Sequence, residues 1–293
     1  MLKPDLKPPA QNYRRQALLL AAGAFVLLLI TWQMGALDSF LFPLRLYVSL
    51  IHEMGHGLTA ILTGGQFIRF EVFPNGAGLA YTAGGSRFLV PQMGYLGAAL
   101  FGAILLTATN RVSTENGVRF VAYAMAVLIG GCAILFTGTT GIVLPLLIGS
   151  AVAWLIAGRV TARFQTVLRI LAGVLALVVL AVVWSNVALR LGVIGAVLLA
   201  LLGAYAPRAT IVFVLNFLAL TIGLNAIMDI WYLFSAPTAS IGTTPNDAAA
   251  MAAYTGIPTL IWVLLWVILT VAMMGGAVYV SFIQPLRRGQ TAP

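Results

Sequence analysis

The chain has 293 residues, of which 61% are hydrophobic and 8% are charged, and its formal net charge is +9 at pH 7. This composition excludes an ordinary soluble domain and predicts an all-α polytopic membrane protein. The sixteen Lys and Arg residues are scattered between apolar runs, which argues against nucleic-acid binding and for contact with the lipid bilayer.

The amino-terminal segment, residues 1–15, is basic and Pro-rich and precedes an uncharged run from Gln16 to Leu37. This run is long enough to span a bilayer, and no A-x-A cleavage site follows it. We therefore expect an uncleaved first helix over about 16–36, with residues 1–15 as a cytoplasmic tail.

The second predicted helix, about 46–63, contains the only two histidines of the chain, in the stretch LYVSLIHEMGHGLTAILTGG. His52 and His56 are four residues apart, so on a helix both imidazoles face the same side and can bind one metal ion, with Glu53 beside them. This is the H-E-x-x-H arrangement of zinc hydrolases. The alternative is a pair of core histidines satisfied by hydrogen bonds.

A small β-hairpin is predicted directly after this helix, over about 66–85. Two β-prone runs, Phe67 to Phe73 and Gly78 to Thr82, flank the turn signal Pro74-Asn75-Gly76. The first run is the candidate edge strand for an extended substrate, bound by β-augmentation. Its candidate substrate-binding residues are Phe67, Arg69, Glu71 and Phe73. The alternative is a structural hairpin that covers the site.

Further helices follow, for about nine transmembrane helices in all within a single domain, 1–293. The third is predicted over about 90–108. The run from Phe120 to Gly158 is too long for one span and breaks near Gly138, which predicts a fourth and a fifth helix. Four more are predicted near 167–187, 191–205, 210–234 and 257–282, before a polar tail, 284–293.

A catalytic zinc ion needs a third protein ligand, because such sites have three ligands and an open position for water. No other histidine is present, and the single cysteine, Cys132, lies in an apolar run, so a carboxylate is expected. Asp229 is the candidate, because an acid within a predicted span needs a partner or a metal. The alternative is an Asp229 that pairs with an arginine or lies exposed at a helix end. The other acids considered lie in predicted loops: Asp38, Glu71, Glu115 and Asp247, the last in a short helix of the polar segment Ser235 to Thr255.

These residues define a chemical hypothesis with one catalytic Zn²⁺. His52, His56 and Asp229 would hold the ion, and Glu53 would take a proton from water and pass it to the leaving amine. Asn225 lies one helical turn before Asp229 and would hydrogen-bond the oxyanion; the alternative is a helix-packing asparagine. The second and eighth helices are separated by five predicted spans, so they run parallel.

Several segments resemble the site-2-protease-like membrane metallopeptidases, peptidase family M50, and in particular its M50B-like branch. The likeness includes the H-E-x-x-H stretch, GYLGAALFG, NAIMDIWYLF and DAAAMAAYTGIPTLIWVLLW. It implies a zinc-dependent intramembrane protease with ligands at His52 and His56, the base at Glu53, and a distal aspartate matching Asp229.

The expected function is therefore a membrane metalloendopeptidase that cleaves membrane-spanning or membrane-proximal proteins, in the bacterial plasma (inner) membrane. Two alternatives remain: an ion or proton transporter that uses the same His/Glu/Asp cluster, and a non-catalytic zinc-binding homologue. Glu53 favours the enzyme, because a passive path needs no base at that spacing. The oligomeric state is left open.

Overall fold

The computed structural model describes residues 9–33, 38–235, 240–241 and 244–285. This part of the chain is mostly helical. Its elements in chain order are α1 (Pro9–Gln33), α2 (Asp38–Leu62), β1 (Gln66–Val72), β2 (Gly78–Ala83), a 3₁₀ turn (Pro91–Met93), α3 (Tyr95–Arg111), α4 (Glu115–Phe136), α5 (Thr140–Ala157), α6 (Ala162–Ser185), α7 (Val187–Tyr205), α8 (Arg208–Ser235), β3 (Ser240–Ile241), β4 (Thr244–Pro245), α9 (Asp247–Thr255), α10 (Thr259–Val278) and a π turn (Tyr279–Ile283).

Within the described residues, six helical segments are long and apolar enough to cross a membrane, which makes the chain an integral membrane protein. They are Glu115–Phe136, Thr140–Ala157, Ala162–Ser185, Val187–Tyr205, Arg208–Met228 and Thr259–Ile283. Each of the nine predicted helices is present, but the predicted count of about nine spans is not confirmed. Helix α3 is not among the six because it has only 17 residues. Helix α2 is not among them because it contains the polar residues of the predicted site.

The predicted hairpin is confirmed. β1 pairs antiparallel with β2, from Gln66 opposite Ala83 to Val72 opposite Gly78. The turn closes because Asn75 Oδ1 accepts a hydrogen bond from the Ala77 N–H at 3.1 Å, and Gly76 has a φ of +93°, which favours glycine. The local turn signal therefore predicted the hairpin.

The ends of the chain differ in detail from the prediction. Helix α1 begins at Pro9, inside the predicted tail 1–15, because proline is well tolerated in the first turn of a helix. Residues 1–8 and most of the predicted tail 284–293 lie outside the described part. The two-residue strands β3 and β4 were not predicted, because pairs this short have no alternating pattern.

Helix α3 packs closely on α8 and also contacts α2. A Cβ at Gly102 would lie 2.7 Å from the Ala219 carbonyl oxygen, so glycine lets the two backbones touch. Two buried amides also join these helices: Asn110 Nδ2 donates to Asn216 Oδ1 at 2.6 Å, and Asn216 Nδ2 donates to Asn110 Oδ1 at 3.3 Å. Helix α2 in turn packs against the hairpin, α3 and α7.

Candidate metal centre

Three side-chain atoms form a small triangle beside α2. Nε2 of His52 lies 3.1 Å from Asp247 Oδ2 and 3.1 Å from Nε2 of His56, and the third edge, from His56 Nε2 to Asp247 Oδ2, is 3.3 Å. Ligand atoms bound to tetrahedral zinc at its usual bond lengths lie about 3.3 Å apart. The triangle therefore has the size of one face of a zinc site, and these residues fit a metal ion.

His56 is held in the tautomer that a metal ligand needs. Its Nδ1–H donates to the backbone carbonyl oxygen of Val90 at 2.7 Å. The other ring nitrogen, Nε2, then presents its lone pair to the centre of the triangle. The loop before α3 therefore orients a histidine of α2.

His52 is supported by an aromatic stack that reaches α10. The edge of its ring meets the Tyr95 ring, with centroids 4.5 Å apart and planes at 81°. Tyr95 stacks on Trp266 at 5.6 Å, and Trp266 Nε1 donates to the buried Gln92 Oε1 at 3.1 Å. These contacts restrict the rotation of the His52 ring.

Asp247 is the first residue of α9, whose ends are both capped. Asn246 Oδ1 accepts a hydrogen bond from the Ala249 N–H at 2.9 Å, and Gly256 ends the helix with a φ of +73°. Ala248 and Met251 are fully buried, in one cluster with Trp262 and Trp266 of α10. This packing holds the first turn of α9 against the two histidines.

The Asp247 carboxylate is stabilised in its charged form. Burial raises the pKa of Asp247, but the positive charge that His56 carries when its Nε2 is protonated and the hydrogen bonds to both imidazoles outweigh burial and hold the pKa well below its ordinary value. A charged carboxylate is the form that binds metal ions.

Glycines leave room for an ion at this place. A Cβ at Gly94 would contact Nε2 of both His52 and His56 more closely than real Cβ atoms come. Gly94 reaches this position because α2 and α3 approach closely, with a Cβ at Gly97 only 3.3 Å from the Gly55 Cα. The space that a side chain at Gly94 would fill therefore borders both ligand nitrogens.

Glu53 lies between the imidazoles and β2. Its side chain is buried, with 5% of the residue exposed. A Cβ at Gly78 would lie 2.8 Å from the Glu53 Cδ, so the carboxylate lies directly against the backbone of β2.

The cluster opens on a cavity of about 1220 Å³. The cavity is lined by the hairpin turn and β2 and by residues around β3 and β4 and the start of α9. Its lining includes Phe73 to Ala80, Thr82, Tyr95, Ser240, Ile241 and Thr244 to Asp247. An extended chain segment could reach the cluster through this space.

The structure brings the predicted His52, Glu53 and His56 together. Asp229 belongs to α8, but its side chain lies outside the described part, so its role as a ligand stays a prediction. Its neighbour Ile230 is fully buried in the cluster that also contains Ala248 and Met251 of α9 and Trp262 and Trp266 of α10.

The predicted oxyanion role of Asn225 also stays a prediction. Its Nδ2 donates to the Thr221 carbonyl oxygen, one turn earlier in α8, at 2.9 Å. This bond uses one of the two amide hydrogens within the helix itself.

The four residues predicted to bind substrate have different surroundings. Phe73 lines the cavity. Phe67 is buried and stacks on Phe136 at 4.4 Å, while Arg69 pairs with Glu71 at 3.2 Å. Because β1 packs against α4 and α7, the strand that borders the cavity is β2. Substrate binding by Phe67, Arg69, Glu71 and Phe73 stays a prediction.

Asp247 is the site residue that sequence reasoning missed, because it lies outside the predicted spans. Local signals did mark a short helix there: an Asn before the acid, apolar residues at 248 and 251, and a glycine at 256. None of these signals shows where that helix packs, so they do not direct the acid to the histidines.

Comparison with known proteins shows the family of the chain. The family model described as Peptidase M50B-like matches residues 18–130 and 125–277. No curated protein and no solved structure matches the chain. The family match includes the H-E-x-x-H helix, the hairpin and Asp247, and it extends over most of the chain. The chain therefore belongs to the Peptidase M50B-like family.

Proposed function

We propose that this protein is a zinc-dependent intramembrane endopeptidase. The observation that carries the proposal is the triangle of two imidazole nitrogens and one carboxylate oxygen, 3.1 to 3.3 Å apart, with the buried Glu53 next to it. Membership of a peptidase family and the apolar helices support the same conclusion.

In this proposal His52, His56 and Asp247 hold one Zn²⁺. The distances favour Asp247 as the third ligand, and Asp229 remains the alternative carboxylate. When bound, zinc would supply Lewis-acid activation of water and of the scissile carbonyl.

The residues of the chain supply the proton transfers and the orientation. Glu53 accepts a proton from the attacking water and delivers it to the leaving amine. His56 keeps its position through its bond to the Val90 carbonyl, and His52 through its contact with Tyr95. Preorganised groups of this kind reduce the reorganisation needed during the reaction.

The substrate would be a membrane-spanning or membrane-proximal protein, in the plasma membrane of a bacterium. A helix hides its peptide bonds in internal hydrogen bonds, so the segment to be cleaved must first unwind. The unwound segment can then pair with the cavity edge of β2 as an added strand, beside Phe73 at the hairpin turn.

Metal analysis tests the ligand set. We expect the purified full-length protein to contain one zinc ion per chain, the His56→Ala and Asp247→Ala variants to lose it, and the Asp229→Ala variant to keep it. If Asp229→Ala loses zinc and Asp247→Ala keeps it, Asp229 is the third ligand and Asp247 is not. A wild-type protein that binds no zinc would contradict the proposal.

Catalysis is tested with Glu53→Gln. This variant should keep its zinc and cleave a model transmembrane substrate at least about 100-fold more slowly, because the amide cannot accept the proton. Unchanged cleavage would remove Glu53 from the mechanism. Zinc binding without any cleavage by the wild type would instead favour a non-catalytic homologue, and ion flux into vesicles that depends on His56 would favour a transporter.

A further inference from the structure

The hairpin of β1 and β2 packs against helix α2 and is fixed to it at its base. The Ser86 N–H, shortly after β2, donates to Thr63 Oγ1 at 2.9 Å. Phe67 of β1 is buried, and a Cβ at Gly57 would overlap its ring, so this ring packs directly on the backbone of α2. The base of the hairpin is therefore held by a hydrogen bond and by burial of an aromatic side chain.

The hairpin tip, residues 73–77, has fewer attachments. None of its five residues is buried. Its backbone hydrogen bonds stay within the tip: the Phe73 N–H donates to the Ala77 carbonyl oxygen at 2.8 Å, and the Gly76 N–H donates to the Phe73 carbonyl oxygen at 3.0 Å. Among the residues that the structure describes, one hydrogen bond joins the tip to another element. In this bond Ser49 Oγ of α2 donates to the Gly76 carbonyl oxygen at 2.6 Å.

The Ser49 hydroxyl does not need the tip in order to be satisfied. Its second acceptor is the Arg45 carbonyl oxygen, one turn earlier in α2, at 3.2 Å. A hydroxyl donates a single hydrogen, and the shorter distance favours Gly76. The bond to Gly76 therefore fixes the tip, whereas α2 itself could satisfy the hydroxyl without it.

This bond lies at the wall of the cavity. Ser49 and all five residues of the tip line the cavity. Ser49 is also four residues before Glu53, so it lies on the same face of α2, one turn from the proposed base. Strand β2 begins directly after the tip, at Gly78, so a strand added to β2 would begin beside the tip.

We infer that Ser49 is a positioning residue for substrate binding, because through Gly76 it holds the hairpin tip in place as a wall of the cavity. The inference rests on the proposed function. A wall that is already ordered lowers the ordering cost when an extended chain binds. Ser49 thus acts on substrate affinity through the tip, and it neither holds the metal nor moves a proton.

An affinity measurement without cleavage tests this role. The probe is a fluorescein-labelled octapeptide of alternating threonine and valine, with a trans-alkene in place of its central amide, so that this position cannot be hydrolysed. Fluorescence anisotropy gives its affinity for the full-length protein in detergent. Ser49→Ala should bind the probe at least about threefold more weakly than wild type, because the tip loses its bond to α2. The same variant should bind zinc within about twofold of wild type, because the three proposed ligands are unchanged.

Three results would overturn the inference. The first is wild-type probe affinity in Ser49→Ala. The second is a loss of zinc affinity in Ser49→Ala as large as its loss of probe affinity, because Ser49 would then act on the metal centre. The third is a wild-type protein that does not bind the probe, because no wall for an extended chain would then exist.

Two further variants separate this hydrogen bond from general loosening of the protein. Ser49→Thr keeps the hydroxyl and should bind the probe within about twofold of wild type. Ser150→Ala removes another half-buried serine hydroxyl, which joins α5 to α6 by donating to the Ala172 carbonyl oxygen at 2.9 Å, away from the cavity lining. It should bind the probe as wild type does. Weak binding by Ser49→Thr, or equal weakening in Ser150→Ala, would contradict positioning by the Ser49 hydroxyl.

Amide hydrogen exchange measures the tip itself. The Phe73 and Gly76 amides should exchange at least about threefold faster in Ser49→Ala, because the tip opens more often once its bond to α2 is gone. The Ser86 amide is the internal control, since its bond to Thr63 at the base remains. Unchanged exchange in the tip, or equal acceleration at Ser86, would refute the inference.

Probe binding and hydrogen exchange do not depend on turnover. If both give the expected results in a protein that cleaves nothing, only the proposed function fails. If the wild type cleaves its substrate and Ser49→Ala binds the probe as the wild type does, only the positioning by Ser49 fails.

Discussion

At Gly94 a single methyl group would enter the space between the two imidazole nitrogens. We predict that Gly94→Ala weakens zinc binding by at least about tenfold, because the added Cβ contacts Nε2 of both His52 and His56. Titration of the purified variant with zinc and a competing chelator measures the loss.

The matched control is Gly173→Ala in α6, where a Cβ would meet no atom within 4 Å. This control should bind zinc as wild type does, since the same substitution is made far from the site. Wild-type zinc affinity in Gly94→Ala would show that the ion is not bound between the histidines.

The position of Asp247 depends on the short helix α9, whose first turn carries this residue. We predict that Asn246→Ala lowers zinc affinity about three- to tenfold, because losing a helix cap costs about 1 kcal/mol and loosens the turn that carries Asp247. Isothermal titration with zinc measures the change.

Asn186→Ala is the control, because Asn186 caps α7 in the same way, accepting the Leu189 N–H at 2.9 Å. Both variants should lose similar amounts of stability, but only Asn246→Ala should lose zinc affinity. Equal zinc affinities in the two variants would show that the capped end of α9 does not position a ligand.

The buried pair of Asn110 and Asn216 joins α3 to α8, two packed helices that are 106 residues apart in the chain at this point. We predict that Asn110→Leu and Asn216→Leu each destabilise the protein by about 1–2 kcal/mol, because each leaves a buried amide without its partner. The double variant should be more stable than the sum of the two losses predicts.

Unfolding of the four proteins of this cycle in mixed detergent measures the coupling free energy. Strictly additive losses would mean that the two amides do not stabilise each other. The test concerns stability alone, because both residues lie outside the lining of the cavity.

The predictable part of the site lies within one helical turn or one tight turn. His52, Glu53 and His56 converge because helical periodicity places positions i and i+4 on one face. The hairpin was predicted from Asn75 and Gly76, whose side chain and backbone conformation close the turn locally. Long apolar runs likewise predicted the helices, although the number of spans was not confirmed.

The missed part of the site depends on contacts between distant segments. Asp247 is 195 residues from His52, and burial of Ala248 and Met251 against Trp262 and Trp266 brings it there. Contacts between distant segments also decide which strand borders the cavity. It is β2, because α4 and α7 pack against β1.

The sequence by itself determined the two histidines, their neighbouring glutamate, the hairpin and the membrane-embedded helices, since each follows from the periodicity or turn chemistry of a continuous segment. Only the tertiary structure decided which described carboxylate completes the triangle, which strand edge faces the cavity and how Glu53 is held. Those outcomes depend on packing between segments far apart in the chain, and no local pattern specifies such packing.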